Sequence, residues 1–362
     1  ISNIKEDGRC KMQSVGSIRP ALYLGMQVQV VTKNGIIDGV IAQYRPIQAD
    51  KVETAELELD LGAGKVEVYD LAGNIREYTT EKYLTEKYTE EKIMDAFHSI
   101  WSRPSGKPYY KPEDFDILTT ILSAICWKKT NGKIFMVCDR AVADFLRCAK
   151  IDFLWDELFV TLDDIPRTID EKTYWAAGKL FALSQFSAPI VGVDTDFLVW
   201  KKLEFKDKLY VIHREELHKD SYPDLDEFLN FNSSLDFTEQ ASNTAFFYIG
   251  DDDFLKLYTN TSIEFMKTHT PASFSLPHML FAEQRLFSMC AKKSGLNITS
   301  LSTISNLFSE KNRTFTHLWG YKDVLRKNPE LKISYCEDCI ERITSDFPLI
   351  SSQHLEHLLE LL

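Results

Sequence analysis

The sequence predicts an α/β protein: a mainly parallel sheet flanked by helices, preceded by a small all-β domain of SH3-like barrel type. Two observations carry this. From residue 94 onward, short apolar runs of strand length alternate with segments whose apolar residues recur at helical spacing, the pattern of βαβ units. Before residue 80 the pattern differs, with four or five short period-two segments separated by tight turns. A third observation sets the scale. The 362 residues are 44% hydrophobic and 12% aromatic, with 23 Phe, so a sizeable core is available to one large domain or two.

Residues 1–16 are polar and read as an irregular arm. In the β domain, residues 17–80, Met26–Val31 alternates with period two and runs into Asn34-Gly35, a strong hairpin signal. Ile36–Tyr44 reads as the return strand, with Gly39 as the expected bulge. Ala55–Leu61 and Lys65–Tyr69 alternate in the same way, and a turn follows at Ala72–Asn74. Nothing in this domain has a catalytic pattern; docking of a protein partner, self-association and a purely structural role all fit. Residues 81–93 form a charged, Tyr-rich linker.

The α/β domain spans residues 94–330. Its strands are expected at His98–Pro104 (running into a loop), Gly132–Cys138, Trp155–Leu162, Ala188–Trp200, Lys208–His213 and Thr244–Ile249, the last with Asn243 at its mouth. Helices are expected at Phe115–Trp127, Ala141–Ala149, Thr173–Gln185, Asp251–Met266 and Phe281–Ser294. Asp251-Asp-Asp253 reads as N-terminal capping charge in preference to a metal site. His218–Ser242 is polar and reads as a lid or acceptor loop. Residues 331–362 form a Leu-rich helical tail.

Composition excludes several classes. With 54 acidic against 42 basic residues the net charge is −12, which argues against a broad nucleic-acid surface. No run reaches the ~18 apolar residues that cross a bilayer. The 7 Cys are odd in number and scattered, which fits a reducing compartment such as the cytoplasm. Cys336 and Cys339 form a lone C-x-x-C with no second pair, so two unlinked helix cysteines are expected in place of a zinc site. No secretory signal pattern opens the sequence, and what precedes Ile1 stays open.

The chemistry centres on Asp194 and Asp196, which follow the apolar run Ile190–Val193. Side chains at i and i+2 of an extended strand point the same way, so both carboxylates would aim at one point. Hard oxygen ligands suit Mg²⁺ or Mn²⁺ shared with substrate phosphates. The plainer reading of a bare Asp-x-Asp is a strand end facing solvent or capping the next segment. In open α/β sheets ligands bind beyond the carboxyl ends of the strands. Arg103, Asp139 and the Asp pair all fall at such ends.

The ordered set Phe97–Pro104, Tyr174–Lys179, Val193–Phe197, Asn243–Phe247, Glu283-Gln284 and His317–Lys322 resembles the GT-A-like nucleotide-sugar glycosyltransferases. Within that superfamily it is most similar to an uncharacterised bacterial family of predicted glycosyltransferases. The likeness covers residues 94–325 and omits the β domain. It implies a GT-A-like fold and transfer of a sugar from a nucleoside-diphosphate sugar, UDP-linked by expectation, to a glycan, protein or small-molecule acceptor. It further implies that Asp194, Asp196 and His317 hold the divalent ion. Gly320 and Lys322 would then cradle the diphosphate, although glycogenin-type enzymes place that lysine one residue later and follow it with Pro-Trp. Lys179, Asn243, Arg103 and Trp175 would contact the donor, the last by stacking, unless Trp175 or Trp101 is simply a core aromatic. Glu283 or Gln284 would stand near the reacting carbon, as a base in an inverting reaction or an interacting group in a retaining one. The competing class is a catalytically silent binding or assembly module of the same fold, fused to a β adaptor. A phosphohydrolase would share the Asp pair but calls for more ligands around two metals.

Overall fold

In this computed structural model the described residues are 94–309, 312, 314–346 and 352–362, together with the backbone of five strands between residues 27 and 79. The chain divides into two compact units, Ile1–Lys92 with Ile343–Ser352, and Ile93–Arg342 with Gln353–Leu362. In the first, strands β1 (Gln27–Thr32), β2 (Gly35–Ala49), β3 (Val52–Asp60), β4 (Lys65–Tyr69) and β5 (Ile75–Thr79) pair as an antiparallel sheet in sequence order. The expected bulge at Gly39 is corrected. Gly39 pairs regularly with Val28, and the register shift falls between Ile41 and Gln43 against β3. The arm 1–16, Asn34, the Ala72–Asn74 turn and the linker 81–93 lie outside the described residues.

The second unit carries a sheet of seven strands ordered β13-β11-β12-β9-β6-β7-β8. In chain order its elements are β6 (Ala96–Ile100), α1 (Asp114–Thr130), β7 (Ile134–Cys138), α2 (Arg140–Cys148), β8 (Glu157–Val160) and α3 (Ala177–Leu183). Next come β9 (Ile190–Val193), β10 (Phe197–Val199), β11 (Leu209–Glu215), α4 (Asp226–Phe231), β12 (Ala241–Ile249) and α5 (Asp252–Thr268). There follow α6 (Leu276–Leu280), a π-helical turn at Phe281–Arg285, α7 (Leu286–Lys293), β13 (Ile298–Ser300), α8 (Ile304–Leu307), β14 (Phe315–His317), α9 (Tyr321–Lys327), α10 (Pro329–Asp346) and α11 (Ser352–Glu360). Strands β6, β7, β8 and β9 run parallel, as do β11 and β13, while β12 is antiparallel to both β9 and β11. This is a mixed sheet flanked by helices, consistent with the predicted α/β class.

Burial explains which sequence patterns are informative. Helix α1 is buried from Phe115 to Trp127 except at Asp116, as an all-round apolar helix must be. Strand β9 is wholly buried, and so are β12 residues on both faces. Across their pairing, Gly192 stands opposite Phe247. A Cβ at Gly192 would lie 2.1 Å from the Phe247 ring, so glycine here makes room for an aromatic on the neighbouring strand. Phe247 packs edge-on against Phe97 and at a tilt against Phe287.

Three helix and loop expectations change. The helix expected over Thr173–Gln185 shortens to α3, because Thr173–Trp175 are tied into a turn, with Thr173 N donating to Asp170 Oδ2 at 2.9 Å. Strand β8 is shorter than Trp155–Leu162, since Leu162–Asp164 closes into a 3₁₀ turn. The His218–Ser242 stretch is not a bare loop: it contains α4, whose Phe228 is buried and stacked on Phe281 at 4.4 Å. Asp251 does cap α5, accepting from Phe254 N at 3.0 Å. Cys336 and Cys339 are free thiols on α10, and burial pushes their pKa values up to about 12 and about 11. Among the described residues no helix is long and apolar enough to cross a membrane.

Substituting Gly192→Ala is expected to destabilise the protein by about 1–3 kcal/mol through overpacking against Phe247. Chemical denaturation measures it, and the paired Gly192→Ala/Phe247→Leu variant should recover part of the loss.

Candidate active site

The single strand expected over Ala188–Trp200 is corrected first. Strand β9 ends at Val193, the chain turns, with Phe197 N donating to Asp194 O at 2.9 Å, and β10 begins a separate two-stranded ribbon. The Asp pair therefore sits on a turn, and the extended i, i+2 geometry does not apply. The ribbon pairs β10 with β14 in the register Phe197↔His317, and Leu318 N donates to Asp196 O at 3.1 Å. This pairing brings His317 beside Asp196.

Beneath the ribbon lies a buried hydrogen-bonded chain. Trp155 Nε1 donates to His98 Nδ1 at 3.2 Å, His98 Nε2 meets Ser123 Oγ at 3.1 Å, and Ser123 Oγ donates to Phe197 O at 2.6 Å. With the indole filling Nδ1, the proton of His98 belongs on Nε2. Burial drives the pKa of this histidine down to about 3, so it is a neutral strut under the Asp turn.

The two carboxylates take different partners. Asp194 Oδ1 meets Lys179 Nζ at 2.5 Å, and the same ammonium reaches Glu283 Oε1 at 2.6 Å and Thr244 O at 3.2 Å. Thr244 Oγ1 also donates to Glu283 Oε1 at 2.8 Å. Glu283 lies in the π-helical turn, where Tyr258 Oη donates to its carbonyl at 2.7 Å, and π turns are frequent at functional sites. Asp196 Oδ2 meets Lys322 Nζ at 3.0 Å, and Lys322 also reaches Asp116 Oδ1 at 3.2 Å. Asp196 Oδ1 stands 3.8 Å from His317 Nε2.

Burial raises the Asp194 carboxyl, and Asp196 and Glu283 add to that rise against Lys179. Burial also raises Asp116, opposed by Lys322. For Asp196, burial is outweighed by the charge and hydrogen bond of Lys322 and by the charge of Lys179, and its pKa falls. Burial weakens the charged form of Lys179, but Asp194 and Glu283 overcome it and hold the ammonium protonated. The His317 ring is driven down to about 4 by burial, with Asp196 opposing, and so is neutral near pH 7. Four carboxylates thus face Lys179 and Lys322, with Arg326 reaching Asp116 at 3.9 Å, and burial raises Asp194 to about 7.

The donor pair Asp196 and His317 fits a small divalent cation. The gap of 3.8 Å is too wide for a hydrogen bond. It is within the span of two ligands each about 2.0–2.1 Å from one ion. His317 Nδ1 is buried without a partner, so the histidine is not satisfied by backbone. Among the described residues no group of three or more His, Cys, Asp or Glu stands ready to hold a metal. Mg²⁺-type ions often take one or two protein carboxylates and complete their shell with water and substrate phosphates. Asp196 and His317 are the donors in place, while Asp194 has an oxygen on Lys179.

The remaining expected residues separate. Asn243 lies within β12, with Nδ2 donating to Glu215 Oε1 at 2.8 Å and Oδ1 accepting from Ala245 N at 3.1 Å. Gln284 turns away from Glu283 and accepts from Tyr222 Oη at 2.5 Å. Arg103 donates to Ile165 O at 2.8 Å and lies over the Trp101 ring at 4.5 Å, a structural clasp. Trp101 is a core aromatic, whereas Trp175 is half-exposed against Phe274. Asp139 caps α2 through Val142 N and also accepts from Ser102 N at 2.6 Å, which ties off β6. Gly320 has an ordinary φ of −67°, so no backbone strain calls for glycine; a Cβ there would meet nothing within 4 Å, leaving its backbone open. Asp116 and Thr244 were not anticipated. Asp116 reads in sequence as first-turn helix charge, and nothing local marks Thr244.

Residues 94–349 match the family described as "Family of unknown function (DUF6734)", and residues 1–77 match the M42 glutamyl aminopeptidase family. No curated protein matches. Among solved structures, mouse xyloside xylosyltransferase 1 in its apo form is similar with a TM-score of 0.34 and 8% identity, over 58% of this chain and 85% of that one. The glycosyltransferase GlyE of Streptococcus pneumoniae TIGR4 is similar with a TM-score of 0.32 and 9% identity, over 60% of this chain and 47% of that one. Likeness at this level leaves the functional argument to the geometry.

Replacing Lys179 with Met should cost about 3 kcal/mol, because it strands Asp194 and Glu283 together without a cation. Denaturant melts check this, and Lys179→Met/Glu283→Gln should restore part of the loss.

Proposed function

For this chain, which belongs to the family of unknown function matched over residues 94–349, we propose a metal-dependent glycosyltransferase that uses a nucleoside-diphosphate sugar. One observation supports it above the others. Asp196, His317 and Lys322 come from distant parts of the sequence and converge beyond the end of β9, as a divalent ion and a diphosphate would require.

Bound there, Mn²⁺ or Mg²⁺ would offset negative charge on the leaving diphosphate. Asp196 and His317 would hold it, His317 because its neutral ring keeps a nitrogen lone pair available. Lys322 adds a point positive charge next to Asp196 and can exchange its carboxylate contacts for phosphate oxygens. Lys179 sets the position of Asp194 and is itself held by Glu283 and Thr244. Glu283 therefore acts through Lys179, and Gln284 orients Tyr222. The open backbone at Gly320 permits close approach of a phosphate.

A second reading rests on the same contacts. Lysines already neutralise one oxygen of each Asp, as they would in a silent binding module. Calorimetry with UDP-sugars separates the two. Binding at least tenfold tighter with Mn²⁺ than without, abolished by Asp196→Ala and weakened by Lys322→Ala, is expected of the transferase. Binding indifferent to Mn²⁺ and to Asp196 would leave the silent module.

A further inference from the structure

A groove of about 440 Å³ is lined by Phe308, Thr316, His317, Leu318, Trp319 and Gly320, together with Tyr321 and Tyr335. Three of its aromatic rings are large and exposed: Phe308 at 53%, Trp319 at 49% and Tyr321 at 43%. Neighbouring exposed rings give a ligand an apolar wall to cover. Trp319 has a positive φ of 32°, a conformation that costs a bulky L-residue and that glycine or asparagine would take readily. The flanking bonds keep it there: Leu318 N to Asp196 O on one side and Tyr321 N to Leu318 O, at 2.7 Å, on the other. The indole lies nearly parallel to His317, with centroids 6.1 Å apart, and to Phe308, at 5.9 Å. Stacked rings are about 3.5–4.0 Å apart in the perpendicular direction, so such centroid distances mean offset rings whose faces stay partly open.

We propose that Trp319, with Phe308 and Tyr321, is a stacking platform for a pyranose ring of the acceptor. The inference rests on the transferase reading, which needs an acceptor beside the metal; the groove shares His317 with that site. A sugar ring offers an apolar C–H face to such a wall. Its hydroxyls can meet the edge of the wall, where Thr316 Oγ1 accepts from Trp200 Nε1 at 2.8 Å and keeps its own proton to donate.

The test uses methyl β-glycosides of glucose, galactose, xylose and N-acetylglucosamine, followed on the indole N–H resonance that vanishes in Trp319→Phe. At least one glycoside should shift it. Trp319→Gly should keep its melting temperature, because glycine accepts the positive φ, and should bind that glycoside about tenfold more weakly. Trp319→Phe should retain binding, measured by saturation transfer, and Trp319→Asn stands in if the glycine variant fails to fold. Absence of any glycoside shift in metal-free protein, or unaltered glycoside binding in Trp319→Gly, overturns the platform. Glycoside binding at Trp319 without Mn²⁺-linked UDP binding would keep the platform and refute the transferase; the reverse would keep the transferase and refute the platform.

Discussion

The ammonium of Lys179 lies between Asp194 and Glu283, 2.5 Å from one and 2.6 Å from the other, and the arrangement of the site depends on it. Two carboxylates out of water repel, and each is costly to bury unless a cation and hydrogen bonds compensate it. Lys179 supplies the cation, and Thr244 supplies the extra hydrogen bonds from its carbonyl and hydroxyl. Three elements meet at this one atom: α3 delivers the lysine, the end of β9 the aspartate, and the π turn the glutamate. The helix is irregular at that place, and Tyr258 Oη donates to the carbonyl of Glu283 there.

A second constraint acts on the other side of the Asp turn. The β10–β14 ribbon is short, yet its register brings Asp196 and His317 to 3.8 Å. Its strand β10 is supported from below by the chain Trp155, His98 and Ser123, and from the side by rings of Phe246 and Phe315 packed on Phe197. A neutral His98 suits this role, since a charged imidazole would be uncompensated in a dry interior. Asp194 and Asp196 are thus close in sequence but answer to different cations, Lys179 and Lys322.

Elements that announce themselves by local pattern are legible in the sequence. Helix α1 is continuous apolar surface, β7 and β9 are apolar runs bounded by turns, and Asp251 caps α5 as its spacing suggests. The break between β9 and β10 is not legible, because Phe197–Val199 is as apolar as Ile190–Val193; the partner that separates them, β14, lies far along the chain. The π turn at Phe281–Arg285 leaves no local signature, so Glu283 and Gln284 read as equivalent neighbours when only Glu283 joins the buried charges. Arg103 illustrates the opposite error: a basic residue at a strand end looks available, but its guanidinium is spent on the carbonyls of Ile165 and Pro166. Trp319 is apolar in a loop by sequence, and only its positive φ and exposure single it out.

These features lead to one proposal: a neutral His317 and Asp196, 3.8 Å apart, would together hold one divalent ion. Electron–nuclear double resonance on Mn²⁺ added with UDP tests this directly. The account predicts a nitrogen coupling from a directly bound imidazole that disappears in His317→Ala while the protein remains folded. Mn²⁺ that binds with no imidazole nitrogen coupling, or with a coupling unchanged in His317→Ala, would contradict it.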